Sequence, residues 1–316
     1  MDQNILYAMA FSKVSGLGAK TLFKFHEQIL RLNNKDDAYL LLEELCEKNK
    51  RIQHISKKQF LPIVQKMETI METHEKNNII AVSALDKEYP RSFLVLKLPP
   101  VYFFAKGNLN ALQMPGVAII GTRKVSNFAR KVGEHLGKYV ASKGWTVISG
   151  LAEGCDTAGH VGCIQAKAVT IAIVGTPLDQ VYPKSNARLQ DEILSCNGCV
   201  ISEYPIGAAV TPYNFIDRDR LQCGLAKGVI VVETGLKGGS YHAINGAVEL
   251  HKPVACFQFN PKYYSENMQS LGNQKMISDK TAVPIYDGPS IDAFLESCKE
   301  KKAVQTESGI QEISLF

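Results

Sequence analysis

Apolar residues recur at helical spacing through the first 75 positions, and short runs of valine and isoleucine then take over. Leu6, Met9 and Ala10 open one apolar face, Ser15-Gly16-Leu17-Gly18 breaks it, and Leu22, Phe23, Phe25 and Leu30 resume it between Ala19 and Leu32. Two further amphipathic stretches, Asp37 to Cys46 and Lys57 to His74, carry Leu40, Leu41, Leu42 and Leu45, then Phe60, Ile63, Val64, Met67 and Met71. The spacing predicts a small helical domain over residues 1–75.

Residues 76–110 read as a connecting segment. Asn78 to Val82 and Val101 to Phe104 are short strand candidates, and Pro90, Pro99 and Pro100 exclude a long helix between them. From Gly116 strands and helices alternate. The strand candidates are Val117–Gly121, Thr146–Gly150, Thr170–Gly175, Val200–Tyr204, Val229–Glu233 and Val254–Phe257. Near-continuous apolar strands separated by helices predict a doubly wound, mostly parallel α/β sheet over residues 111–258. Beyond that the pattern fades into an extension, 259–316, with one short helix expected over Ser290–Cys298 and a solvated tail from Lys299-Glu300-Lys301-Lys302. No winged helix is expected in it.

Composition changes this picture little. With 45% hydrophobic and 21% charged residues, the 316-residue chain has the balance of a folded protein, which excludes wholesale disorder. No apolar run approaches the ~20 residues of a membrane span. The first residues lack the basic and apolar regions of a signal peptide, so a cytoplasmic protein is expected. The net charge of +5 permits a polyanionic partner without demanding one. Of the eight cysteines only Cys196 and Cys199 form a C-x-x-C, without the second pair or the histidines of a zinc site. They read as a turn between a helix and a strand, and no metal or cofactor is expected.

Ligands of open parallel sheets bind beyond the carboxyl ends of the strands. Here those ends run into glycine loops: Gly121-Thr122-Arg123, Gly150 to Gly154, Gly175 to Asp179, and Gly235-Leu236-Lys237-Gly238-Gly239-Ser240. Their amides, with the helix N-termini behind them, predict an anion-binding rim. No dinucleotide fingerprint and no Walker A sequence is present. Arginine marks the rim instead. Arg123 reads as a ligand contact. Arg218 and Arg220 read either as phosphate contacts or as ion-pair partners of Asp217 and Asp219. Phe215, assigned to a polar loop beginning at Thr211, reads equally as a platform for an unpaired base or as a core plug. Lys184 and Lys237 are further phosphate candidates.

Catalytic groups are sparse, and no catalytic residue is assigned. Asp156 reads as an acidic group in the first turn of a helix and His160 as a packed or capping group. Glu233, at a strand end, reads as a holder of a ribose or an arginine. The Val14-Ser15-Gly16-Leu17-Gly18 turn has the form of a helix-hairpin-helix, SAM-like element, or of a plain glycine turn.

In order along residues 89–258, several stretches together resemble the DprA/Smf family of DNA-processing proteins. They include Val117 to Arg123, Ser149 to Asp156 with His160, Leu178-Asp179 with Tyr182-Pro183, and Ser202-Glu203-Tyr204-Pro205. Phe215, Arg218-Asp219-Arg220, Val231-Val232-Glu233 and Gly239-Ser240 complete the set. The resemblance implies a Rossmann-like domain that binds single-stranded DNA, forms a homodimer and hands the strand to a RecA-type recombinase, classically in natural transformation. It places Arg123 and Phe215 at strand-holding positions. The chain departs from the family pattern at Asp219, where asparagine is usual, at Pro212 in place of a lysine, and at Phe257-Gln258-Phe259. The alternative is a nucleotide sensor or nucleoside-monophosphate hydrolase using the same pocket, although Gly239-Ser240-Tyr241-His242 lacks the T-x-x-E continuation such hydrolases carry. A pure interaction scaffold is the third reading.

Overall fold

The computed structural model describes residues 3–299. Five helices come first: α1 (Gln3–Phe11), α2 (Ala19–Lys24), α3 (His26–Leu30), α4 (Lys35–Lys48) and α5 (Lys57–Lys76). The stretch expected to run from Ala19 to Leu32 is divided at Phe25. The Gly16–Gly18 turn rests on the chain that follows α4, where the Gln53 amide donates to Ser15 O at 2.8 Å. Helices α4 and α5 start where sequence chemistry starts them. The Asn34 side chain accepts from the Asp37 amide, and Ser56 with Gln59 closes a capping box.

The remaining chain builds one sheet. Its strands are β1 (Ile80–Ser83), β2 (Tyr102–Gly107), β3 (Gly116–Ile120), β4 (Thr146–Ser149), β5 (Thr170–Ile173), β6 (Cys199–Ser202), β7 (Val229–Val231), β8 (Val254–Phe257) and β9 (Val283–Ile285). The helices between and after them are α6 (Asn127–Ser142), α7 (Cys155–Gln165), α8 (Ala187–Ser195), α9 (Pro212–Leu225), α10 (Ser240–Glu249), α11 (Pro261–Glu266), α12 (Leu271–Ser278) and α13 (Gly288–Lys299). The spatial order is β1-β2-β6-β5-β4-β3-β7-β8-β9. From β6 to β9 every pairing is parallel, and β1 and β2 add an antiparallel margin. The chain winds outward from β3 to β6, then returns to the other side of β3 with β7. The order therefore reverses between β3 and β7, which is where an open sheet leaves a crevice.

Alternation along β3 shows why both faces are apolar. Val117 and Ile119 enter a core with Leu136 and Val140 of α6 and with Phe294 and Leu295 of α13. Ala118 and Ile120 enter the opposite core, which continues through Leu221 of α9 into Phe11, Phe60 and Met71 of the helical region. His74 of α5 fastens that junction. Its ring stands 4.3 Å from Phe104, its Nε2 accepts from the Ile206 amide at 2.9 Å, and burial pulls its pKa down to about 4.

The short strands expected within residues 76–110 are β1 and β2, and both flanking segments join the sheet. Residues 76–110 are part of the sheet, because β2 pairs with β6 at its margin. Residues 259–299 are likewise no appendage, since β9 lies beside β8 and Asn273 of α12 bonds to Thr234 N, Val232 O and Phe257 O. A three-residue strand containing Pro284 gives almost no periodic signal, and its proline is tolerated because β9 is an edge. The tail from Glu300 lies outside the described residues.

Candidate nucleic-acid interface

A cleft of about 500 Å³ opens at the carboxyl ends of β3 and β7. One wall is the loop after β3, with Gly121, Thr122, exposed Arg123 and Lys124. The other is the loop after β7, with Lys237, Gly238, Gly239 and Ser240, which leads into α10. Helix α9 crosses between them and brings Phe215, Arg218 and Asp219 to the cleft. Arg123 extends over the Phe215 ring, 5.7 Å from its centroid, and Tyr182 lies 5.2 Å from the same ring. A guanidinium on an aromatic face is held there by the ring quadrupole while its N–H groups remain free to meet an anion. Ser240 and Thr234 share a hydrogen bond of 2.7 Å between their hydroxyls, which fixes the start of α10.

Phe215 belongs to the first turn of α9, not to a loop, because Thr211 and Asn214 form a capping box ahead of Pro212 at the first helical position. The far end of α9 is pinned by Lys252, whose Nζ donates to the carbonyls of Cys223, Gly224 and Ala226 at 2.6–2.8 Å. The ring is half-buried, so it serves both as cleft wall and as packing against Gly175, whose backbone has no room for a large side chain there.

The three arginines separate. Arg218 is only 5% exposed. It donates to Ile173 O, its Nε lies 3.1 Å from Asp219 Oδ1, and its guanidinium covers Gly150 so closely that any Cβ there would collide with it. It forms cleft floor, paired with Asp219 and hydrogen-bonded to Ile173 O, while its Nε has no hydrogen-bond partner among the described residues. Arg220 lies on another side of α9 and makes two 2.6 Å hydrogen bonds to the half-buried Glu203 carboxylate, outside the cleft. Grouping Arg220 with the rim is therefore corrected: one helix presents residues two apart to different sides. Lys184 is exposed beyond Tyr182 and Pro183 and lines neither this cleft nor its side lobe. Gly121 is required mainly by packing, since Cys155 Sγ and Glu233 O lie where a Cβ would stand; at Gly239 that space is open.

Glu233 departs from every expectation for it. It is fully buried behind the β3 loop and accepts from Ser126 N at 2.9 Å, Tyr263 OH at 2.6 Å and Asn267 Nδ2 at 3.0 Å. It neither faces the cleft nor pairs with an arginine. Asp156 lies in the first turn of α7 and His160 is packed, as expected: Asp156 accepts from the amides of Gly150 and Ala152 at 3.1 and 3.4 Å, and His160 bonds Thr170 through Nδ1 at 2.7 Å. Burial lowers the His160 pKa to about 3 and raises that of Asp156. Burial also pushes the Asp219 carboxyl up to about 6, opposed by Arg218. Sequence reasoning missed Gln269, which comes from the faded C-terminal region and places its Oε1 3.4 Å from Thr122 Oγ1. It also passed over Tyr182 as a contact, although the Tyr-Pro pair stands in a strand-end loop. Among the described residues no cluster of His, Cys, Asp and Glu could hold a metal ion, and no helix is long and apolar enough to cross a membrane.

A glycine-looped cleft at the switch point of a parallel sheet, with cations and an aromatic on its rim, defines a Rossmann-like domain suited to a phosphate-bearing ligand. The chain belongs to the DNA recombination-mediator protein A family, whose model matches residues 80–296. Protein Smf of Synechocystis is 32% identical over 195 residues, 60% of this chain and 49% of the relative. DNA processing protein DprA of Streptococcus pneumoniae is 40% identical over 172 residues, 54% of this chain and 60% of the relative. The match thus spans about half to three-fifths of these relatives. The X-ray structure of the Streptococcus pneumoniae protein superposes with a TM-score of 0.72 at 27% identity, covering 93% of this chain and 98% of that one. DNA processing protein A from Helicobacter pylori, described with a single-stranded DNA binding mode, gives 0.61 at 26% identity, covering 69% and 96%.

Proposed function

We propose that this protein binds single-stranded DNA in the cleft, without catalysing a reaction on it, and acts as a homodimer that passes the strand to a RecA-type recombinase. One observation carries the reading: exposed Arg123 lies on Phe215 at the mouth of an open cleft whose opposite wall is the Lys237–Ser240 loop. Phosphates suit the guanidinium and loop amides, and bases suit the aromatic faces. The described binding mode of the Helicobacter pylori relative supports it. The hydrolase alternative lacks the T-x-x-E continuation after Gly239-Ser240, and Glu233, the carboxylate read as a ribose holder, is sealed behind the β3 loop.

Fluorescence anisotropy with a labelled oligo-dT tests the proposal. Binding is expected at low salt and should weaken as salt rises, because phosphate contacts release counterions. Loss of a charge-assisted contact in Arg123→Ala should weaken it about tenfold or more. Absence of binding at low salt, or wild-type affinity in Arg123→Ala, would refute the reading. Delivery to a recombinase is measured by the rate at which a RecA-type filament assembles on strands already carrying this protein, and no acceleration would remove that part.

A further inference from the structure

The cleft has a side lobe that shares Arg123 with it but none of its lysines. It holds about 80 Å³ and is walled by Arg123, Glu153, Tyr182, Pro183 and Phe215 over the Gly150–Arg218 floor. Glu153 is exposed and held at this wall by Ser185, whose hydroxyl donates to its Oε1 at 2.8 Å. The cationic and amide groups Lys124, Lys237 and Gly238–Ser240 line the main cleft and not this lobe. Arg123, Arg218, Tyr182 and Phe215 border both spaces, and what sets the lobe apart is Glu153, its one carboxylate, beside the two aromatic rings.

A carboxylate repels a phosphodiester but accepts hydrogen bonds from a base edge. Cytosine presents an exocyclic amino donor where thymine presents a carbonyl acceptor, and adenine and guanine also carry amino groups. The space is too small for a whole base yet opens beside two stacking faces, so a base lying against Phe215 and Tyr182 would reach in with its edge. We propose that this lobe is a nucleobase-edge subsite in which Glu153 selects amino-bearing bases over thymine. The inference rests on the single-strand reading above and names its base preference.

The test compares oligo-dC, oligo-dT and oligo-dU of equal length by anisotropy at one low salt concentration. Cytosine and uracil differ without the thymine methyl group, so dU separates the amino donor from the methyl. Oligo-dC is expected to bind about three- to tenfold tighter than dT and dU, the range of one net hydrogen bond. In Glu153→Ala the dC-to-dU ratio should fall to near one. In Glu153→Gln, whose amide both donates and accepts, it should also collapse. Circular dichroism confirms that these surface variants are folded. Equal binding of dC and dU by the wild type, or a ratio that survives in Glu153→Ala, overturns the subsite and leaves strand binding intact. Failure of all three oligonucleotides to bind overturns the single-strand reading itself, and the subsite with it.

Discussion

The rim and the floor of the cleft are both built with arginine, and they use it in opposite ways. Arg123 follows Gly121 and Thr122 in the loop after β3, extends over Phe215 and stays exposed. Arg218 sits one turn along α9 from that same phenylalanine, is almost sealed, and serves Ile173 O and Asp219. The rim arginine is open to a ligand, whereas the floor arginine is packed against β5 and the Gly150 loop. Arginine beside a glycine loop is thus not one signal. What distinguishes the two is whether the element that carries the side chain turns it outward or inward.

The largest expected effect comes from breaking the floor. Arg218→Ala leaves Asp219 buried without its cation, and removal of one partner of a buried pair costs about 3–5 kcal/mol. Thermal unfolding should show a pronounced loss for Arg218→Ala, while Arg123→Ala melts close to wild type because its side chain is exposed. Similar melting of the two variants would erase the distinction between rim and floor.

The next effect concerns Asp219, whose pKa of about 6 reflects burial against the pull of Arg218, with Asp156 and His242 also facing it. The folded protein holds this proton more tightly than the unfolded chain. Its stabilising contribution is therefore complete below about pH 4 and is lost as pH rises through about 6. Asp219→Asn removes that loss, so it should be more stable than wild type at about pH 7, with the advantage fading towards about pH 4. The same charge at the cleft floor opposes phosphate. Wild-type affinity for oligo-dT should therefore rise between about pH 7 and pH 5 more steeply than that of Asp219→Asn. Parallel pH profiles of the two proteins would show that the floor carboxylate is not sensed in the cleft.

The smallest effect separates two lysines. Lys237 lines the cleft and Lys184 does not. Lys237→Ala should lower the slope of log affinity against log salt by about 1, and Lys184→Ala should leave it unchanged. Equal slopes in the two variants would widen the interface beyond the cleft.

Much of the architecture was legible in the chain. The runs at Val117–Gly121, Thr146–Gly150, Thr170–Gly175 and Val200–Tyr204 lie within one or two residues of β3, β4, β5 and β6. Long helices such as α5 declared themselves by their period and their caps. Less was legible where elements are short or at the margin. Helix α2 has six residues and β9 has three, and so few positions carry no periodic pattern. The loop assigned around Phe215 proved to be the first turn of a helix, although Thr211, Pro212 and Asn214 already spelled its cap.

The sequence by itself determined the alternation of strand and helix, and with it the crevice at the strand ends where glycines collect. Apolar period and turn chemistry are local properties, and they need no partner to be read. Only the tertiary structure decided that Arg218 turns inward, that Arg220 pairs with Glu203, that Glu233 locks the β3 loop from behind and that Gln269 reaches the cleft. Except for the Arg218–Asp219 pair, which joins neighbours in sequence, each of those outcomes depends on which distant group is close enough to compensate a buried charge or amide. That long-range closeness comes from the winding of the chain.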